Sequence, residues 1–121
     1  MSFSEEVQGA VSAHGMWKAR LRQAIDSGTS EFKVDVVRQD NQCAFGKWLY
    51  GDAKRLHGSD PQYEKVRALH AEFHAEAAHV LSFAVGGKKA EATAAMGISA
   101  PFTRVSSTLI NTLKIWEKAA A

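Results

Sequence analysis

Apolar side chains recur every three or four residues over nearly the whole chain, and this spacing is the feature that most limits its fold. Such a period places apolar residues on one stripe of an α-helix, whereas a half-buried β-strand requires strict alternation. Three stripes are clearest: Val7, Val11, His14, Trp17, Leu21, Ile25; Tyr63, Val66, His70, Phe73, Ala77, Val80, Ala84; and Ile98, Phe102, Val105, Leu109, Leu113, Trp116. We therefore predict an all-α fold: an antiparallel four-helix-bundle-like domain with a short extra helix that carries the cysteine.

Capping residues set the boundaries expected for the first two long helices. The first should cover about residues 4–27, with Gly28 as the residue that ends it, because glycine adopts a positive φ at little cost. The next should begin with Asp60 as its N-cap and Pro61 as its first residue, where the missing proline N–H would have no partner in any case.

The segment between these helices is harder to interpret. Residues 29–42 are compatible with a short strand, a helical turn or an irregular crossover. A short helix should follow over residues 43–50, capped by Asp40 or Asn41 and ended by Gly51.

Two breaks are expected on either side of the second long helix. "LHGSD" (56–60) should be a polar loop before it, and "GGKK" (86–89) should end it and begin a helix that continues to about residue 118. Pro101 lies inside this last helix and should kink it or split it in two, because proline removes a backbone hydrogen bond.

Length and charge exclude several classes of protein. With 121 residues and no internal repeat, the chain is expected to be one domain, residues 1–121. The 15 basic and 13 acidic residues are spread along the chain and give a net charge of +2, so there is no basic stripe for nucleic acid. No apolar run approaches the roughly 18 residues that cross a bilayer, so no membrane insertion is expected.

The first ten residues and the cysteine content indicate the compartment. Glu5 and Glu6 occupy the place where a signal peptide would have apolar residues. The single cysteine, Cys43, cannot form an internal disulfide, so a reducing cytoplasm is expected and the thiol is left for metal binding, reactivity or packing.

The histidines are the most informative polar residues. His14 and His70 occupy apolar stripes and should point into the bundle, and His74 lies one helical turn after His70 on the same face. A single inward histidine is more often a core residue with hydrogen-bonded nitrogens. Three of them directed at one core would each cost about 1–3 kcal/mol if left unpaired, and one shared cation would remove that cost. His57 and His79 are expected to be solvated.

Cys43 is the natural fourth ligand, near the start of the short helix in "CAFGKW". There a helix dipole favours thiolate, and Gly46 would allow the helix to approach the histidines closely. The alternative is a small buried apolar residue. Three imidazoles and one thiolate suit Zn²⁺ in a tetrahedral site better than copper or iron.

The pattern His14-x-x-Trp17, Cys43-x-Phe45-Gly46-x-Trp48 and His70-x-x-x-His74 resembles the signature of the chemoreceptor zinc-binding (CZB) domain family. The resemblance implies a cytoplasmic bacterial helical module that forms a homodimer and binds zinc tightly through His14, Cys43, His70 and His74. It also implies a sensor of zinc or of oxidants such as hypochlorous acid, acting through the cysteine in chemoreceptors or diguanylate cyclases.

Members of this family are usually fused to an output domain, for which 121 residues leave no room. We therefore expect an excised domain, a stand-alone protein or a subunit that acts on a separate partner.

Three other functions compete with a sensory zinc site. A purely structural zinc site in a dimerisation module would use the same ligands. A zinc hydrolase is disfavoured, because the residue after His70 is Ala71 rather than the glutamate of HExxH, and four protein ligands leave no position for water. A di-iron bundle would need several inward carboxylates, whereas Glu72 and Glu76 fall on other faces or at the edge of the histidine face.

Overall fold

The computed structural model describes residues 2–120, except for the side chain of residue 120. Within these residues the chain forms seven α-helices and no strand: α1 (Phe3–Ser27), α2 (Val34–Val37), α3 (Ala44–Tyr50), α4 (Asp52–His57), α5 (Pro61–Val85), α6 (Lys89–Ala95) and α7 (Pro101–Ala120). The predicted all-α fold is confirmed.

The long helices α1, α5 and α7 pack against one another pairwise and enclose the core. The short helices cover this trio: α2 and α4 contact α5, α3 contacts α1, and α6 contacts both α1 and α5. The core is apolar apart from three buried histidines. No helix in the described part of the chain is both long enough and apolar enough to cross a bilayer.

The predicted caps of α1 and α5 are present. Gly28 ends α1 with φ 74°, and Asp60 caps α5 by accepting a 2.9 Å hydrogen bond from the Gln62 N–H at Oδ1. The start of α1 has a capping box that was not predicted, in which Ser2 and Glu5 bond each other's backbone N–H.

The middle of the chain differs from expectation in two places. Cys43 itself, rather than Asp40 or Asn41, is the N-cap of α3, and its Sγ accepts from the Gly46 N–H at 3.3 Å. The expected polar loop is shorter than predicted, because Leu56 and His57 complete α4. Residues 29–42 contain the helical turn α2, one of the three alternatives.

The C-terminal helix is split, as Pro101 predicts. Pro101 is the first residue of α7, where it leaves no hydrogen bond unmade, and residues 96–100 form the turn after α6. The assignment of Ile98 to the apolar stripe was wrong, since this side chain lies in that turn and is 92% exposed.

Gly46 is required because the backbone of Asp40 lies very close to it. The sequence instead suggested a close approach of the short helix to the histidines. A Cβ at this residue would overlap the carbonyl oxygen of Asp40 and lie 2.9 Å from its carbon. The glycine therefore lets the backbone before Cys43 fold back along α3, rather than letting α3 approach the histidines.

Gly46→Ala should lower the free energy of unfolding by about 1–3 kcal/mol, because the added methyl group displaces backbone atoms that cannot rotate away. Urea unfolding of the metal-free protein measures this. Gly15→Ala is the matched control: Gly15 lies in α1 with nothing within 4 Å of an added Cβ. It should instead stabilise the protein by up to about 1 kcal/mol, and equal effects of both changes would contradict the steric argument.

Candidate metal centre

Three separate segments bring four candidate ligands together. His14 comes from the middle of α1, Cys43 from the N-cap of α3, and His70 and His74 from successive turns of α5. One ligand atom from each of the four lies within 4.8 Å of all the others. The three imidazoles are buried and Cys43 is half-buried. All four residues predicted from the sequence therefore meet at one point in the core.

The distances among three of the four donor atoms match those around a tetrahedral zinc ion. The Nε2 atoms of His70 and His74 are 3.1 Å apart, and the Sγ of Cys43 lies 3.4 Å and 3.6 Å from them. Zinc–nitrogen bonds of about 2.05 Å and a zinc–sulfur bond of about 2.3 Å place tetrahedral donors about 3.3 Å (N···N) and 3.6 Å (N···S) apart. These three donors have the spacing of a zinc centre, and the His14 donor lies within 4.8 Å of each of them.

Backbone carbonyls orient two of the imidazoles. The Nδ1–H of His14 donates to the carbonyl of Ala10 at 2.7 Å, and the Nδ1–H of His74 donates to the carbonyl of Val37 at 2.9 Å. Because a carbonyl only accepts, the ring proton sits on Nδ1 and the lone pair sits on Nε2. Such outer contacts hold a ligand's tautomer and orientation in metal sites.

His70 lacks an equivalent outer contact. Its Nδ1 is buried and has no hydrogen-bond partner among the residues that the structure describes. Its Nε2 lies 3.1 Å from the Nε2 of His74, and because His74 carries its proton on Nδ1, the metal-free His70 ring can donate its Nε2–H to that lone pair. The buried and unpaired Nδ1 of His70 is unfavourable. Zinc binding would place the His70 proton on Nδ1 and leave both Nε2 lone pairs for the metal.

Burial keeps these histidines neutral. It lowers the pKa of His14 to about 4, although the bond to Ala10 acts in the opposite direction. Burial followed by the proximity of His14 and His74 lowers the pKa of His70 far below its usual value, and burial lowers that of His74. Neutral imidazoles are the form that binds metal.

The thiol of Cys43 is subject to opposing effects. Burial raises its pKa, while the backbone N–H groups of Gly46 and Phe45 at the start of α3 lower it, and burial has the larger effect. The start of α3 therefore lowers the pKa of the thiol, as expected from the sequence, but without metal the effect of burial outweighs it. A metal ion would deprotonate the thiol by direct coordination.

Aromatic rings and a cleft surround the donors. Phe45 and Phe73 pack edge-on against His14 at ring-centroid distances of 5.9 Å and 4.9 Å. A mainly apolar cleft of about 440 Å³ between α1 and the segment from α2 to α3 is lined by His14, Cys43 and His74. The donors therefore lie against aromatic rings of the bundle, and the sulfur of Cys43 lines a cleft.

The other two histidines lie outside this group. His79 is exposed, as expected, and packs against Phe83. His57 was expected to be solvated but is half-buried, with its ring 4.8 Å from that of Phe3 and 5.9 Å from that of Trp116.

A family model described as chemoreceptor zinc-binding domain matches residues 14–81, which is more than half of the chain. The matched segment includes all four candidate ligands. The chain belongs to the chemoreceptor zinc-binding domain family. A comparison with curated proteins and one with solved structures gave no match.

The family's cofactor, Zn²⁺, fits this CZB domain, because three imidazoles and one thiol meet within 4.8 Å, three of the donors have tetrahedral spacing, and nitrogen and sulfur are the donors that zinc prefers. Sequence reasoning missed the outer contacts of this centre. The carbonyls of Ala10 and Val37 leave no trace in a residue pattern, since any residue type supplies a carbonyl.

Zinc at about 100 times its Kd should raise the free energy of unfolding by about 2.7 kcal/mol. Urea unfolding with zinc and with a chelator measures this gain. The gain should be largely lost in His70→Ala, and it should persist in His79→Ala because His79 lies outside the donor group. Equal zinc stabilisation in both variants would contradict the site.

Proposed function

We propose that His14, Cys43, His70 and His74 ligate Zn²⁺ and that this centre senses zinc level or oxidants, such as hypochlorous acid, through Cys43. The proposal rests on a difference in the elements that supply the four candidate ligands. Three imidazoles come from the long helices α1 and α5, whereas the sulfur comes from a short segment at the N-cap of α3. Loss of the sulfur would release that segment and leave the bundle in place.

The chemistry of the oxidant step centres on the sulfur. Bound zinc keeps Cys43 as a thiolate, which is the nucleophilic form. The thiolate sulfur attacks the chlorine of hypochlorous acid, the Cl–O bond breaks, and hydroxide leaves. Hydrolysis of the resulting sulfenyl chloride gives sulfenic acid, chloride and a proton, so sulfur is oxidised by two electrons and chlorine is reduced. The product is a poorer ligand.

The surroundings of Cys43 support its selection as the reactive ligand. The residue is half-buried and lines the cleft beside α1, whereas His70 is fully buried. A small neutral oxidant could reach the sulfur through this cleft, which His14 and His74 also line.

The released segment would transmit the signal. In this proposal the domain acts in the cytoplasm as a homodimer, and the freed Cys43 segment is read by an output domain or partner protein of the chemotaxis or cyclic-di-GMP type. The family description, which refers to chemoreceptors, supports this context. Nucleic acid is not among the proposed partners.

A purely structural zinc site is the second candidate. Near-complete burial of three imidazoles favours it, because closed four-ligand zinc sites commonly serve folding alone. A hydrolase is not proposed: Ala71 stands where HExxH requires glutamate, and four protein ligands would leave no position for water.

Hypochlorous acid at one equivalent should release zinc from the wild-type protein and raise amide hydrogen exchange in residues 38–50. Cys43→Ser should bind zinc more weakly and should show no further change with oxidant. A chromogenic chelator follows zinc release, and mass spectrometry locates the added oxygen.

Met16→Leu is the control for this experiment, because the Met16 thioether is 53% exposed and is also oxidised by hypochlorous acid. It should behave as the wild type. Sulfenic acid at Cys43 with full zinc retention and unchanged exchange would reject sensing and favour the structural site.

A further inference from the structure

The backbone that leads into Cys43 is fastened to α3 by contacts other than metal ligation. Asp40 lies three residues before the cysteine, and its carboxylate accepts a hydrogen bond from the Tyr50 hydroxyl. Its carbonyl packs directly on the Cα of Gly46. Because Gly46 and Tyr50 are one turn apart on α3, Asp40 contacts the same helical face with its backbone and its side chain.

The Asp40–Tyr50 hydrogen bond closes a short loop of the chain that contains Cys43. Residues 40–43 come before α3 and lie along its face. Asp40 therefore reaches Tyr50 in the last turn of the helix. A displacement of the Cys43 backbone away from the imidazoles therefore moves α3 as a whole or separates Asp40 from Tyr50.

The environment of Tyr50 keeps its hydroxyl as a donor. Partial burial and the bond to Asp40 raise the pKa of Tyr50, while the Arg67 guanidinium lowers it less. Arg67 is itself held on α5 by Glu64, through hydrogen bonds of 2.9 Å and 2.6 Å, and lies one turn before His70. The tyrosine thus sits between the Cys43 loop and the helix that carries two of the ligands.

We propose that the Asp40–Tyr50 hydrogen bond is a latch that sets how fast the Cys43 sulfur leaves the metal, with Tyr50 as a positioning residue. The inference rests on the proposed zinc site. Tyr50 would thus govern the lifetime of the zinc-bound state without contacting the metal.

The first test is the rate of zinc dissociation into excess chelator, measured by stopped flow. Tyr50→Phe keeps the ring and removes only the hydroxyl, so zinc should leave about three to ten times faster, as expected for the loss of one hydrogen bond. In an Asp40→Ala background, which lacks the acceptor, Tyr50→Phe should have no additional effect. An unchanged rate in Tyr50→Phe, or additive effects in the double variant, would overturn the latch.

Tyr63→Phe is the matched control. The Tyr63 hydroxyl also holds α3, by donating to the carbonyl of Leu49 at 2.8 Å, and this hydrogen bond does not involve residues 40–43. Its removal should destabilise the fold and leave zinc dissociation within about twofold of wild type. Equal acceleration by both variants would mean that any loosening of α3 suffices, which overturns a specific role for Tyr50.

The second readout requires no metal. Amide hydrogen exchange of residues 40–43 in the zinc-free protein should be several times faster in Tyr50→Phe than in wild type, and unchanged exchange would overturn the latch. If the wild-type protein takes up no zinc, the proposed site fails; if it takes up zinc normally and Tyr50→Phe changes nothing, only the latch fails.

Discussion

The arrangement depends on the burial of three imidazoles within reach of one thiol. Each ring gives up its contacts with water, and the Nε2 atoms of His70 and His74 lie 3.1 Å apart. Hydrogen bonds to Ala10 and Val37 satisfy the outer nitrogens of two rings, and the Nδ1 of His70 has no partner within the described part of the chain. The folded chain is therefore complementary to a cation, and its stability and its metal affinity are two aspects of one free energy.

The long helices and the short segment before α3 would supply different ligands to that cation. α1 and α5 place their histidines through extensive apolar packing, so these ligands move only if the core moves. The sulfur depends instead on the path of residues 37–43, in which the Val37 carbonyl bonds His74 at one end and Asp40 bonds Tyr50 at the middle. The imidazoles thus come from the packed long helices, and the sulfur comes from an irregular segment.

Sequence reasoning recovered what side-chain periodicity encodes. It predicted the apolar stripes from spacing along each helix, the caps at Gly28 and Asp60 from residue type, and the meeting of the four candidate ligands from their chemistry and the family pattern. It did not recover the contacts made by the irregular segment before α3. The cap role of Cys43 and the packing of Asp40 on Gly46 depend on the path of an irregular segment, which leaves no periodic signal. Ile98 was misassigned because its spacing fits a helix that Pro101 interrupts.

The short helix that begins at Cys43 also reaches the far end of the bundle. Trp48 of α3 lies 5.9 Å from Phe3 and 6.0 Å from Trp116, measured between ring centroids. Phe3 and Trp116 pack edge-on at 4.8 Å, and the indole N–H of Trp116 donates to Asp60, the cap of α5. Aromatic pairs of this kind depend strongly on ring separation and angle. A shift of α3 large enough to withdraw the Cys43 sulfur would therefore also disturb the aromatic packing where α1 begins and α7 ends.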